Sequence, residues 1–205
     1  MSSVQDLLDL VDYRRRVGDL YRLSGPDAVQ RWRAGRDDLF RTHPQSPIED
    51  RESFRGLDYF DPDPGYRVTA RMEEAGGEEL LIDTGGEDGA IRYRRAGRLR
   101  FALAGQECSL LVLSLLAYGG GLFVPFKDAT SGKETYGGGR YLFDTVKNTD
   151  GLVLEVTPGS REVVLDFNFA YNPSCAYNPR WACPLAPPES ALPVEIRAGE
   201  RSFRG

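Results

Sequence analysis

The sequence predicts a mainly β protein, α+β overall: an antiparallel β-barrel or sandwich-like meander of about eight strands, preceded by N-terminal helices. Three observations carry this. Apolar residues recur every three or four positions in the first forty or so residues and every second position after Tyr66. Turn formers are abundant, with 23 Gly and 13 Pro in 205 residues, which suits many short strands. No stretch alternates strand with helix at the spacing of a parallel crossover. The length fits a single domain over 1–205, with a helical segment over 1–42, an antiparallel β core over 66–170, and a Pro-rich C-terminal loop with a short strand over 171–205.

Asp6–Arg22 places Leu7, Leu8, Leu10, Val11 and Leu20 on one stripe, continued by Leu23, and predicts a helix with a charged outer face. Ser24-Gly25-Pro26 ends it. Asp27 is the candidate cap of a second helix through Arg41, which buries Val29, Trp32, Leu39 and Phe40. His43-Pro44 breaks that helix, residues 43–65 read as an irregular connection, and Asp61-Pro62-Asp63-Pro64-Gly65 reads as a turn. From Tyr66, Val68, Ala70 and Met72 alternate with polar residues as a half-buried strand. Gly76-Gly77 leads into a strand over Glu78–Asp83. Ile91–Ala104 reads as a hairpin turning at Arg95-Ala96-Gly97, which opposes Arg94 to Arg98 and Tyr93 to Leu99. Further strands are expected at Glu107–Leu116, Leu122–Phe126, Arg140–Asp144, Leu152–Val156, Arg161–Phe169 and Leu192–Ile196.

Charge and composition narrow the function. A net charge of −5 and a pI near 5.1 disfavour a nucleic-acid partner, whose phosphates an acidic chain repels. The arginine face of residues 92–100 is expected to be neutralised by Glu73, Glu74, Glu78 and Glu79. The N-terminus lacks the basic and apolar regions of an export signal, and the uncharged stretch Leu110–Phe126 is interrupted by Gly119-Gly120-Gly121 and Pro125. No membrane association and a cytoplasmic location are expected. The three cysteines, Cys108, Cys175 and Cys183, then read as reduced thiols without a catalytic part, with a Cys175–Cys183 disulfide as the alternative.

Catalytic signatures are scarce. His43 is the single histidine and sits before a proline, which suits a structural or surface role. The cysteine spacing matches no zinc site, so no metal and no cofactor is expected. Gly137-Gly138-Gly139 lacks the Lys-Ser/Thr ending of a phosphate loop and leads into a strand, so a bulge or close approach is the reading there.

Two stretches are distinctive. Phe126–Leu142 reads FKDATSGKETYGGGRYL, and Asp166–Tyr177 reads DFNFAYNPSCAY, followed by Cys183-Pro184-Leu185-Ala186-Pro187-Pro188-Glu189. Both resemble the bacterial and archaeal domain-of-unknown-function family 1684, and Trp32, Arg33 and Arg36 resemble its N-terminal helix pattern. Ser190-Ala191 departs from the Asn-Arg of that pattern. The resemblance implies no activity but points at polar and aromatic residues of the kind that line binding sites. The candidate ligand-binding set is Asp128, Thr130, Tyr136, Arg140, Tyr141, Asp166, Asn168, Tyr171, Asn172 and Tyr177.

The expected function is binding of a small polar or anionic molecule in a pocket of the sheet. The alternative is a histidine-independent, hydrolase-like enzyme, with Asp128 or Asp166 as general base and Arg140 stabilising charge. The sharpest expectation is that Arg140 and the Asp166–Asn168 face share one polar pocket under a lid formed by Tyr171–Cys183.

Overall fold

The computed structural model describes residues 3–86 and 89–204. Two helices, α1 (Val4–Leu20) and α2 (Ala28–Thr42), precede eight antiparallel strands: β1 Arg67–Glu74, β2 Glu79–Asp83, β3 Ala90–Leu103, β4 Gln106–Leu115, β5 Leu122–Phe126, β6 Arg140–Asp144, β7 Leu154–Val156 and β8 Glu162–Asp166. The strands form one curled half-barrel sheet in the order β6-β5-β4-β3-β1-β8-β7, with β2 also on β3. This is the expected mainly antiparallel class with N-terminal helices.

The expected hairpin within Ile91–Ala104 is a correction. Ala90–Leu103 is one continuous strand, and the chain reverses at Ala104-Gly105, both left-handed with φ of 50° and 72°. That is the two-residue turn of a tight hairpin, with alanine in a place where asparagine or aspartate is usual. Gly97 instead marks a bulge between Arg95 and Gly97 in the pairing with β4. Before the bulge β3 pairs with β2, and after it with β1. A Cβ on Gly97 would lie 2.9 Å from the Glu73 carbonyl oxygen, so glycine is needed for backbone approach rather than for a turn. The arginine face is neutralised in part as expected, by Arg92–Glu79 at 2.7 Å and Arg100–Glu73 at 2.6 Å, whereas Arg98 donates to Ser109 Oγ at 3.1 Å.

Leu110 to Leu113 of β4 are all buried, and so is every residue of β6. Both faces of these strands are covered, which is why they read as runs rather than alternations. The C-terminal segment supplies part of the cover. Ser190 Oγ accepts from the Leu111 N–H at 3.1 Å, and Lys127 donates its N–H to the Ser190 carbonyl and accepts from the Leu192 N–H. The strand expected at Leu192–Ile196 is therefore an extended segment beside Lys127, joined by a single bridge at Ala191, rather than a strand. β8 ends three residues early because the Asp166 carboxylate accepts from the Asn168 N–H and turns Phe167–Phe169 into a 3-10 turn.

The helices differ from expectation in two details. Ser3 and Asp6 form a capping box that opens α1, whereas Asp27 makes no side-chain cap and pairs with Arg31 at 3.2 Å. On α1 only the C-terminal half reaches the core, through Val17 and Leu20; Leu7 and Leu8 are more than half exposed. α2 buries Trp32, Leu39 and Phe40 as its pattern demands, and it buries Arg36 beside them. His43 is buried: its Nδ1 accepts from the Gln45 N–H at 3.0 Å, which leaves Nε2 to donate to Asp12 at 3.2 Å. Both ring nitrogens are thus engaged within the fold. Among the described residues no helix is long and apolar enough to cross a membrane.

Candidate functional site

Trp32 packs edge-on against Phe169 and Tyr21, with ring centroids 5.3 and 5.7 Å apart. Arg36 lies one turn later on the same face of α2 and is carried into the interior with it. Its guanidinium sits 4.9 Å from the Trp32 ring and 5.4 Å from the Tyr171 ring. Arg36 Nη2 donates to Glu200 Oε2 at 2.8 Å and to the Tyr177 hydroxyl at 3.1 Å, and Nε donates to the Tyr59 hydroxyl at 3.2 Å. Tyr177 in turn donates to Glu200 Oε1, and the Asn172 N–H to Oε2 at 3.0 Å. Gly199, with φ of 74°, lets the chain carrying Glu200 pass this close: a Cβ there would lie 2.5 Å from the Ala170 carbonyl oxygen.

Burial pushes the Glu200 carboxyl up, against the pull of Arg36 and the Tyr177 hydroxyl. Burial alone would lower Arg36, but Tyr59, Glu200 and Tyr177 together hold it well above its ordinary value, so it stays charged. Tyr21, Tyr171 and Tyr177 are all raised by desolvation and stay neutral hydroxyls at physiological pH.

Beside this cluster is a cavity of about 160 Å³. α1 and its end contribute Leu10, Tyr13, Arg14, Val17, Leu20 and Tyr21, and α2 contributes Arg36, Leu39 and Phe40. Tyr141, Lys147 and Thr149 come from β6 and the turn after it, and Tyr171, Asn172, Ser174, Tyr177 and Trp181 from the C-terminal loop. A single water needs only about 10–15 Å³ of such space, so the cavity has room for a small organic molecule. Among the described residues its wall carries three cationic side chains, Arg14, Arg36 and Lys147, and no carboxylate. Arg14 makes no ion pair among the described residues, and Lys147 lies 3.4 Å from Asp144. Two buried polar atoms of the wall have no close hydrogen-bond partner among the described residues: the Tyr21 hydroxyl, which faces Trp32 and Arg36, and Asn172 Oδ1. Asn172 Nδ2 already donates to the Arg201 carbonyl at 2.7 Å, which fixes Oδ1 as the free acceptor.

Of the ten residues expected from sequence, Tyr141, Tyr171, Asn172 and Tyr177 line this cavity. The cavity lies between the helices and the C-terminal loop, not within the sheet. Arg140 is next to Tyr141, but strand alternation turns it the other way. It is fully buried and donates to Asp128 Oδ2 at 2.9 Å and to the carbonyls of Ile196, Ala198 and Glu200. Asp128 is itself saturated: Oδ1 accepts from Thr130 N at 2.7 Å, from Thr130 Oγ1 and from Ile196 N. Thr130 continues the network to Thr135 at 2.9 Å. This is a staple between the Phe126–Arg140 loop and the C-terminal segment.

Asp166 and Asn168 belong to a third place. Asn168 holds the Asp63 segment, accepting from its N–H at 2.9 Å and donating to its carbonyl at 2.8 Å. Arg140 and Asp166 share no hydrogen bond or ion pair, because the carboxylate expected from Asp166 is supplied by Asp128. Tyr136 donates to Cys175 Sγ at 3.7 Å, outside the cavity wall. Sequence reasoning missed Tyr13, Tyr21 and Lys147, whose sequence context carries no signal. It noted Arg36 only through the helix pattern, where a lone arginine on an otherwise apolar helix face was the available cue.

No match is found among curated proteins. The chain is similar to an uncharacterised protein of Haloarcula marismortui whose solution NMR structure is known, at 39% identity over 84% of this chain and 91% of that one, with a TM-score of 0.61. The model of the family described as "Protein of unknown function (DUF1684)" matches residues 52–201, which takes in β1 to β8, the Asp128–Arg140 staple and Glu200, and the chain belongs to that family.

Proposed function

We propose that the protein binds a small organic anion in the cavity between α1, α2 and the C-terminal loop. The observation that carries this reading is the wall itself: among the described residues it holds three cations, no carboxylate, aromatic faces, and two buried polar atoms without close partners. Buried polar groups in native proteins nearly always find a partner, so an orphan hydroxyl and an orphan amide oxygen favour an occupant that supplies hydrogen bonds. Asn172 Oδ1 asks for a donor, and the cations ask for a negative group. A compact carboxylate that also carries a hydroxyl or N–H answers both, and its apolar body meets Val17, Leu20 and the tyrosine rings. Arg36 is already neutralised by Glu200 and Lys147 is shared with Asp144 at 3.4 Å, so Arg14 supplies the unspent positive charge near the rim. Among the described residues the wall holds no carboxylate to serve as general base, which favours binding over hydrolysis. Free thiols fit action in the cytoplasm, and the acidic chain fits a small-molecule rather than a nucleic-acid partner.

The test is thermal melting with 4-hydroxybenzoate, benzoate, acetate and the neutral control phenol. A site of this kind gives the largest upward shift with 4-hydroxybenzoate and a smaller one for Lys147→Gln. Equal shifts with phenol and the carboxylates, or none with any of them, remove the anion site.

A further inference from the structure

α1 turns one face to the core through Val17 and Leu20 and leaves the other bare. Val4, Leu8 and Val11, spaced four and three apart, lie on the far side of the helix, with Leu7 beside them. Val4 is 77% exposed, Leu7 57%, Leu8 59% and Val11 46%. Single exposed aliphatic residues are ordinary, but these four share about two turns of one helix. Together they expose on the order of 400 Å² of apolar surface, the size of the largest apolar patch on a typical monomer. The Ser3–Asp6 capping box fixes the start of the helix, so the stripe is an ordered surface. Further along, the stripe runs through Arg15 to Gly18, where the surface opens into a groove of about 540 Å³. Val11, Arg15, Gly18, Asp19, Arg22 and Asn148 line it. A Cβ on Gly18 would lie 3.3 Å from Arg22 Nη1 and 3.4 Å from Asn148 Cβ, so a side chain at this position would crowd the groove.

We propose that the protein pairs with a second copy of itself through α1, as a two-fold dimer whose α1 helices run antiparallel and place the apolar stripe of each copy on the groove of the other. The sequence of α1 suits this arrangement. Val4 and Gly18 lie seven residues to either side of Val11. With Val11 near the two-fold axis, Val4 of each copy falls on the Gly18 groove of its partner, and Leu8 packs on the aliphatic stem of the partner's Arg15. Each contact is made twice, as in any isologous interface.

Charge selects the direction and the partner. Asp6, Asp9 and Asp12 stand in the first part of α1, and Arg14, Arg15 and Arg16 in the second. An antiparallel pair sets the acidic end of each helix beside the basic end of the other and opposes the two helix dipoles. A parallel pair would set the three arginines against their own copies. An anionic lipid surface fits less well, because the part of the helix that carries the apolar stripe also carries the three aspartates. The area is sufficient as well. Covering both stripes and the grooves that receive them buries on the order of 1,000 Å² in total, the size at which a specific interface becomes stable. The inference stands independently of what the cavity binds.

The experiment is analytical ultracentrifugation of the full chain, without added ligand, from low to high micromolar concentration. The wild-type mass rises with concentration from 22.8 kDa towards twice that value. Leu8→Glu puts a charge into the contact twice and weakens association at least about tenfold, with the circular dichroism of the fold unchanged. Val11→Cys, mildly oxidised, gives a covalent dimer whose linked peptide maps to position 11. A wild type that stays at the mass of one copy throughout overturns the proposal. So does a dimer that Leu8→Glu leaves intact, or one that Val11→Cys does not link. A monomeric wild type that floats with phosphatidylcholine–phosphatidylglycerol vesicles overturns it in favour of a lipid surface. The wild-type measurement decides the matter even if a variant fails to fold.

Discussion

Arg36 Nη2 lies 2.8 Å from Glu200 Oε2, joining α2 to the penultimate stretch of the chain in a setting where neither side chain is more than 7% exposed. The pair closes the molecule around the cavity, since Tyr177 and Asn172 hydrogen-bond to the same carboxylate and also form the cavity wall. Removing one partner strands the other charge in a dry interior. Arg36→Met is expected to lower the unfolding free energy by about 3–5 kcal/mol, read from urea denaturation. A loss no larger than that of a surface substitution would mean that water reaches Glu200.

The same pair sets a pH dependence with a definite sign. Burial raises the Glu200 carboxyl above its ordinary value of 4.5, so the folded state binds its proton more tightly than the unfolded state. Its contribution to stability is fully present below the unfolded value and declines as pH rises through the folded value. Denaturation series on wild type and Glu200→Gln across this window test it: wild-type stability minus variant stability falls as pH rises. A difference that stays flat or rises with pH contradicts the assignment.

The Arg140–Asp128 staple is expected to be structural rather than functional. Asp128→Asn costs about 3–5 kcal/mol because Arg140 loses its single buried carboxylate partner while its carbonyl contacts remain. If the variant folds at low temperature, its affinity for 4-hydroxybenzoate is unchanged from wild type. A folded Asp128→Asn with lost binding would place the staple in the site after all.

Gly97 tests the bulge. In Gly97→Ala the new methyl meets the Glu73 carbonyl oxygen at 2.9 Å and the flexible Met72 methyl at 2.2 Å. The side chain can move and the backbone cannot, so an overpacking loss of about 1–3 kcal/mol is expected in denaturant unfolding. An unchanged midpoint would show that β1 and β3 separate there at no cost.

Much of the fold was legible because the local signals agree with the tertiary structure. The bounds of β5 and β6 match expectation residue for residue, and α2 buries the face its pattern predicts. The long β3 strand was not legible, since a glycine after two arginines and an alanine has turn chemistry, and only the neighbouring β1 backbone reveals that it serves a close approach. The site was half legible. Tyr141, Tyr171, Asn172 and Tyr177 stand in distinctive motifs, but Arg140 and Asp128 stand in the same motifs and satisfy each other. Nothing in a sequence distinguishes a polar residue that lines a cavity from one that saturates its partners. α1 misled in the opposite direction, since its apolar stripe promised burial that only Val17 and Leu20 deliver.

The most direct test of the central claim is nuclear magnetic resonance of the labelled protein with 4-hydroxybenzoate. The account predicts saturable binding with intermolecular Overhauser contacts from the ligand ring to the Val17 and Leu20 methyls and to the rings of Tyr21 and Tyr171, all of them walls of the cavity. Saturable binding with contacts confined to the arginine face of β3, or no contacts to the cavity wall at saturation, would contradict it.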